Sequence, residues 1–298
     1  LKLKIKPNFP LHFMILPGFI LVLIYSYGPM AGILIAFEKY IPTKGILHSK
    51  WIGFDNFEYM FNQPGIGRVF VNTVYIASMK IIAGLITPLI IALALNEIGR
   101  KYFKRLIQTL IYLPYFLSWV ILSGILIDIL SPSTGIVNHF LQWLGFEPIY
   151  FLGSNHWFPY VLVASNEWKE FGFSTIVYLA AITSINPTLY EAGVIDGANR
   201  IRQTWHITLP GMRPIIILLA TLSLANVLNA GFDQVFNLYS TQVLESGDII
   251  DTVVYRMGLE NVQYGPATAI GLLKSVVSTF FISIAYYLAY RLADYRIF

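Results

Sequence analysis

The chain has 298 residues and a mass of 33.7 kDa, with 56% hydrophobic and only 12% charged residues. A soluble domain carries roughly 25% charged residues, and so few charges would leave apolar patches that water does not tolerate; the chain belongs in lipid. A net charge of +4 is too mild and too dispersed for nucleic acid, and the absence of cysteine excludes disulfides, thiolate metal sites and cysteine nucleophiles.

A helix needs ~20 largely apolar residues to cross the hydrocarbon. The first stretch that qualifies is 13–36, too long for the apolar part of a cleavable signal and without a small-residue cleavage site after it, so it is expected to be retained. Trp51, Phe54, Phe57, Tyr59 and Phe61 follow in a segment suited to the headgroup level, where aromatic rings are half wet and act at least as anchors. The second and third spans are 69–95 and 106–130. Pro17, Pro29, Pro88 and Pro114 fall inside the first three spans and predict kinks, because each removes an intrahelical bond.

The fourth span, 157–183, contains Glu167, Lys169 and Glu170. Charges at that depth cost ~2.5–3.5 kcal/mol each unless paired or wet, so they face a cavity or partners. Helical spacing puts Glu167, Glu170 and Ser174 on one face and Asn166, Lys169 and Phe173 on the next. The carboxylates suit either a network that locks helices together or a polar path. Asn166, Trp168 and Lys169 offer an aromatic ring beside amide and ammonium donors, the surroundings a sugar ring or a uronate would meet.

Between the fourth and fifth spans runs SINPTLYEAGVIDGANRIRQTWHITLP, ending at Pro210 and far longer than a helix link requires. Pro187 and Thr188 signal a helix start, and Leu189, Ala192 and Ile195 follow at helical spacing. Gly197 supplies a turn before Ile201, Trp205 and Ile207 open a second amphipathic stretch, so two short helices are predicted. A helix resting on lipid is the alternative; the small residues Ala192, Gly193, Gly197 and Ala198 favour close docking against a protein. The fifth span, 214–239, carries Ser223, Asn226, Asn229, Asp233 and Asn237 at steps of three and four, a polar stripe that either binds a neighbouring helix or lines a hydrophilic path. The sixth span is 268–289.

Lys and Arg set the direction of insertion. Lys2, Lys4, Lys6, Arg100, Lys101, Lys104, Arg105, Arg200, Arg202, Arg213, Arg291 and Arg296 lie on one side, and Lys39, Lys44, Lys50, Arg68 and Arg256 on the other. Both termini are therefore predicted cytoplasmic, with 37–68, 131–156 and 240–267 outside. Asp128 lies near an outer helix end, Lys80 and Lys274 either snorkel or pair, and none of the three receives a functional role. The five histidines are scattered with no H-E-x-x-H spacing, and no G-x-x-x-x-G-K-[ST] loop is present, so neither a zinc site nor a phosphate cradle is expected in this chain.

EAGVIDGA at 191–198 and ITLP at 207–210 resemble the EAA loop of permeases of ATP-binding cassette importers, with Gly193 where that pattern has a second Ala. YGPMAGILIAFEKYIPTKGI at 27–46 and WIGFDNF at 51–57 are further similar to the carbohydrate branch, specifically permeases for larger oligosaccharides and polysaccharides, the first permease subunit of bacterial alginate importers above all. The resemblance implies an all-α integral membrane protein: one permease domain over 1–298 with six transmembrane helices in the type I, maltose-permease-like arrangement and a coupling loop at 184–212. It implies import of oligosaccharide or polysaccharide, alginate included, across the bacterial inner membrane by alternating access, and no catalytic residue. The implied partners are a second permease subunit, two copies of an ATPase that carries the ATP and Mg, a solute-binding protein outside and the saccharide. Glu191, Ala192, Gly193, Asp196, Gly197 and Ala198 would form the ATPase-coupling surface. Glu191, read as lying near a helix N-terminus, either pairs with a partner arginine or caps the helix. Asn166, Trp168, Lys169, Glu170 and Phe173 fall on the family's site-bearing stretch before the loop and Ser223 on the stretch after; Asn226 and Asn229 match with a small shift, and Asp233 continues the stripe. A different class, an ion-coupled secondary transporter, would use Glu167, Glu170 and Asp233.

Overall fold

The computed structural model describes residues 9–293, whose regular structure is helical apart from one two-stranded ribbon. They form two compact units. One comprises the chain through Ile66 and resumes over Val253–Leu273; the other comprises Gly67–Thr252 and resumes at Lys274.

The first unit opens with α1, Phe9–Val22, continued by a π-helical turn, Leu23–Tyr27, and a 3-10 segment, Gly28–Phe37. The change of winding falls at Pro29, which has no amide hydrogen to continue the α-helical ladder. β1 (Glu38–Lys39) pairs antiparallel with β2 (Lys50–Trp51), Glu38 opposite Trp51. α2, Asp55–Phe61, is tied to the end of the 3-10 segment by Asn56, whose Nδ2 donates to Ala36 O at 2.9 Å and Glu38 O at 3.0 Å. The aromatic segment is packed on itself: the Phe37 ring stacks on Trp51 and meets Phe54 edge-on, each at 5.5 Å.

The second unit is built on α3, Ile66–Glu97, a 32-residue helix that accommodates Pro88. α4 (Lys101–Tyr112) and α5 (Trp119–Ile129) are joined through a 3-10 turn, Leu113–Phe116, and bent by 106°. The third expected span is thus a broken one. Pro114 stops α4, and Ser118 restarts the chain as an N-cap, its Oγ accepting from Ile121 N at 3.4 Å. α6 (Ile136–Trp143) and the 26-residue α7 (Phe158–Thr183) follow. α8 (Pro187–Ile195) leads to α9 (Arg200–Gln203), which passes through a π-helical turn, Thr204–Thr208, into α10 (Leu209–Leu224). The second amphipathic stretch is therefore the beginning of the long helix Arg200–Leu224 rather than a separate short one. α11 is Phe232–Leu238, and short helices α12 (Leu244–Gly247) and α13 (Ile250–Tyr255) precede α14, Tyr264–Ala293.

The fifth expected span requires correction: 214–239 is not one helix. The chain leaves α10 after Leu224 and turns through Asn226 and Asn229 to Gly231, which has φ +89°. Asn226 N donates to Ser223 O and Asn229 N to Asn226 O, at 3.0 and 2.8 Å, closing tight turns instead of the helical ladder. Asparagine competes with helix through such turns, and glycine takes the left-handed conformation that other residues resist.

Two cores hold this unit together. Ile76, Leu122, Phe158, Leu162, Val235 and Ile249 make one; Ala92, Leu95, Tyr178, Ile182 and Met212 make the other. Among the described residues, His12–Phe37, Ile66–Glu97, Arg200–Leu224 and Tyr264–Tyr287 are long and apolar enough to cross a membrane, and the bent α4–α5 pair makes a fifth if taken as one span. α7 has the length, but Glu167, Lys169 and Glu170 lie within it.

Candidate coupling loop and substrate path

Asn186 begins the loop after α7: its Oδ1 accepts from Thr188 N at 3.1 Å, capping α8 ahead of Pro187 in the first turn. α8 ends at Asp196, and Gly197 at φ +74° reverses the chain. Asn199 then caps α9, accepting from Arg202 N at 2.9 Å. Glu191 is the fifth residue of α8, and no acidic residue occupies its first turn. This corrects both the expected placement near a helix N-terminus and the capping role, which belongs to Asn186.

The small residues divide into two groups. Ala192, Asp196 and Gly197 are exposed, as is Glu191, whereas Gly193 and Ala198 are half-buried. Gly193 is small for an internal reason: a β-carbon there would lie 3.2 Å from Ile207 Cδ1, and Ala198 N donates to Gly193 O at 2.8 Å. The returning chain thus packs on α8, helped by Gln203 Nε2 donating to Ala198 O at 3.1 Å and by the Tyr190–Thr208 hydroxyl pair at 3.0 Å. The other side of the knuckle is apolar and open: Ile195 is 85% exposed, and Leu189, Val194, Ile201 and Trp205 are exposed with it. Beneath α8 a cavity of about 510 Å³ is lined by Asn96, Tyr190, Glu191 and Gln203, with the Arg200–Glu97 ion pair, 2.9 Å, on its wall.

On α7 the residues expected to face a substrate separate by burial. Trp168 (39%) and Phe173 (49%) are exposed, and Asn166 and Glu170 are half-buried. Lys169 is buried and engaged by protein: Nζ donates to Tyr115 O at 2.8 Å, lies over the Tyr115 and Trp119 rings at 5.1 and 5.9 Å, and stands 3.6 Å from Glu170 Oε1. The Tyr115 carbonyl belongs to the 3-10 turn at the α4–α5 bend, so the ammonium supplies a donor where the broken helix does not. Phe173 stacks on Tyr115 at 4.6 Å, and at Gly172 a β-carbon would collide with Ile111 O. One face of α7 therefore brackets the bend.

The polar stripe is divided among three places. Ser223 is half-buried in the last turn of α10, Asn226 and Asn229 are exposed in the turn after it, and Asp233 is exposed in the first turn of α11. Asn226 Nδ2 and Asn237 Nδ2 each donate to a carbonyl four residues back, Leu222 O at 3.2 Å and Asp233 O at 2.7 Å, rather than to a neighbouring helix.

Sequence reasoning missed the polar node at the centre of this region. Lys80 Nζ on α3 donates to Ala230 O at 2.6 Å and to Gln234 Oε1. Gln234 is fully buried, and its Nε2 donates to Leu162 O and Ser165 Oγ, both at 2.7 Å. A lysine inside a span signals that a partner must exist; which one depends on the fold. Lys274, also without an assigned role, pairs with Asp251 at 2.5 Å.

The described family of binding-protein-dependent transport system inner membrane components matches residues 84–294, well over half of the chain. Protein LplB of Bacillus subtilis (strain 168) is 42% identical over 279 residues, 94% of this chain and 88% of LplB. The polygalacturonan/rhamnogalacturonan transport system permease protein YteP of the same organism is 39% identical over 284 residues, 95% of this chain and 88% of YteP. A chain in the crystal structure of a bacterial ABC transporter involved in the import of the acidic polysaccharide alginate superposes with a TM-score of 0.89 at 39% identity, over 97% of this chain and 98% of that one. A chain of a bacterial alginate ABC transporter in complex with an alginate pentasaccharide-bound periplasmic protein gives 0.90 at 38% identity, over 98% of each.

Proposed function

This chain belongs to the family of binding-protein-dependent transport system inner membrane components, and from that membership we propose that it is one permease of a heterodimeric importer for oligosaccharides or polysaccharides, acidic ones such as alginate among them. It is a transport subunit and not an enzyme. Near full-length similarity supports the substrate class: YteP shares the sequence, and two alginate transporter chains share both the sequence and the helical frame. Six spans are reached by adding the bent α4–α5 pair and α7 to the four apolar helices, with both termini cytoplasmic on the Lys and Arg bias.

The observation that carries the mechanism is the continuity of α8, the Gly197 turn and the helix Arg200–Leu224. In this reading α8 is the coupling helix. It presents Glu191, Ala192, Asp196 and Gly197, with the apolar Ile195 and Val194, to one of two ATPase subunits that bind ATP and Mg, while Gly193 and Ala198 keep the returning chain close. Closure of the ATPases displaces α8, and the long helix carries that displacement to the Asn226–Gly231 turn. There Ser223, Asn226, Asn229 and Asp233, with Asn166, Trp168, Glu170 and Phe173 of α7, line the saccharide path, and Lys169 holds the shape of its wall. A solute-binding protein delivers the saccharide from outside. The ion-coupled alternative through Glu167, Glu170 and Asp233 has no support in the family.

The test is uptake by the complete importer in proteoliposomes carrying Glu191→Ala or Gly197→Asp, with assembly verified. The expected result is loss of ATP-driven uptake with saccharide binding to the binding protein intact. Undiminished uptake would refute the coupling role. Uptake by the chain alone on an ion gradient would refute the whole reading.

A further inference from the structure

Two opposite charges lie buried in the helices of the second unit, and they are served unequally. Lys80 is 8% exposed and its ammonium donates to Ala230 O and Gln234 Oε1. Glu167 is 9% exposed, and its carboxylate has the adjacent Asn166 amide beside it but no hydrogen bond of good geometry to either oxygen. A buried carboxyl so poorly served is the arrangement that folded chains avoid, and a membrane offers no water to relieve it. α3 passes close to it: a β-carbon at Gly84 would lie 3.4 Å from Glu167 Oε1. Gly84 stands one helical turn from Lys80, on the same face of α3. The lysine and the carboxyl therefore address one strip of one helix.

We propose that Lys80 changes partners during transport: it holds the turn between α10 and α11 in the state described here, and pairs with Glu167 when that turn withdraws. The lysine's present seat is specific. A β-carbon at Gly231 would lie 3.0 Å from Lys80 Nζ and crowd the ammonium, and the backbone there has φ +89°, which favours glycine. That seat lies in the turn that follows the helix Arg200–Leu224, whose other end adjoins the turn after α8. A displacement of α8 thus reaches the seat through that helix and the short turn after it. The long lysine stem can swing one turn along α3, and the poorly served carboxyl is the acceptor there. Each state has one charge-assisted contact that the other lacks, which is the property of a two-state element biased by a distant event. This inference rests on the coupling role of α8 proposed above.

The test uses the complete importer, with its second permease, ATPases and binding protein, in nanodiscs. Lys80→Met and Glu167→Gln are made singly and together. If the two residues act as a pair during transport, Glu167→Gln lowers ATP-driven uptake about tenfold in the wild-type background and adds little further loss when Lys80→Met is already present. Losses that multiply in the double variant would overturn the proposal. Glu167→Gln, nearly isosteric, is expected to keep assembly. Wild-type uptake by that variant would overturn the exchange while leaving the coupling reading intact. Absence of ATP-driven uptake in the unsubstituted importer would overturn both.

Discussion

Lys169 sits against the bend between α4 and α5, and that position decides what its charge can do. From the sequence it is a cation in a span beside Asn166 and Trp168, a credible reader of uronates. Burial and the 2.8 Å bond to Tyr115 O turn it into a clasp on a carbonyl freed near Pro114. The sequence announces that such a lysine needs a partner, but the partner is a backbone atom 54 residues away, exposed by a break whose angle no local pattern specifies. Lys169→Gln is therefore expected to lower uptake of acidic and neutral oligosaccharides by the same factor, and to cost about 1–3 kcal/mol of stability through the orphaned carbonyl. Competitive uptake assays with charged and uncharged oligomers, alongside thermal unfolding in detergent, check both; selective loss on the acidic oligomer would restore the role of charge reader. Gly172→Val addresses the same wall. The close approach of Ile111 O leaves no room for a side chain, and overpacking is expected to destabilise by about 1–3 kcal/mol or more, read as a lowered unfolding temperature.

Among the elements, α8 was the most legible. Pro187, the small residues and Gly197 mark its start, face and end, because caps and left-handed turns are local requirements. Asn186→Ala is expected to cost about 0.5–2 kcal/mol as the cap bond to Thr188 N is lost. Gly197→Val should cost about 1–2 kcal/mol from the left-handed backbone alone, and should reduce ATP-driven uptake more than stability as the turn opens. Parallel unfolding and uptake measurements separate the two effects. α10 was less legible. Spacing of three and four made Ser223 through Asn237 look like one helical stripe, yet Asn226, Asn229 and Gly231 are also turn residues, and here turn chemistry overrode periodicity. The lesson is local: polar residues that repeat at helical spacing do not establish a helix when two of them are asparagines ahead of a glycine.

At the scale of the whole molecule, composition placed the chain in lipid, and the 191–210 motifs pointed to a family that the match over residues 84–294 bears out. What stayed hidden was the set of long-range pairings: Lys80 with Gln234, Lys274 with Asp251, and Lys169 with Tyr115. Lys80–Gln234 and Lys169–Tyr115 join positions 154 and 54 residues apart, and Lys274–Asp251 spans the break between two helices; helical spacing carries no information about any of them. In the proposed mechanism work enters through α8 from a separate ATPase subunit. The most direct measurement is a crosslink from a photoreactive residue in place of Ile195, the most exposed apolar side chain of α8, in the assembled importer in native membranes. The account predicts an adduct with the ATPase subunit whose yield changes with nucleotide. An adduct with lipid alone, or labelling of position 195 by an impermeant reagent from the outer face, would contradict it.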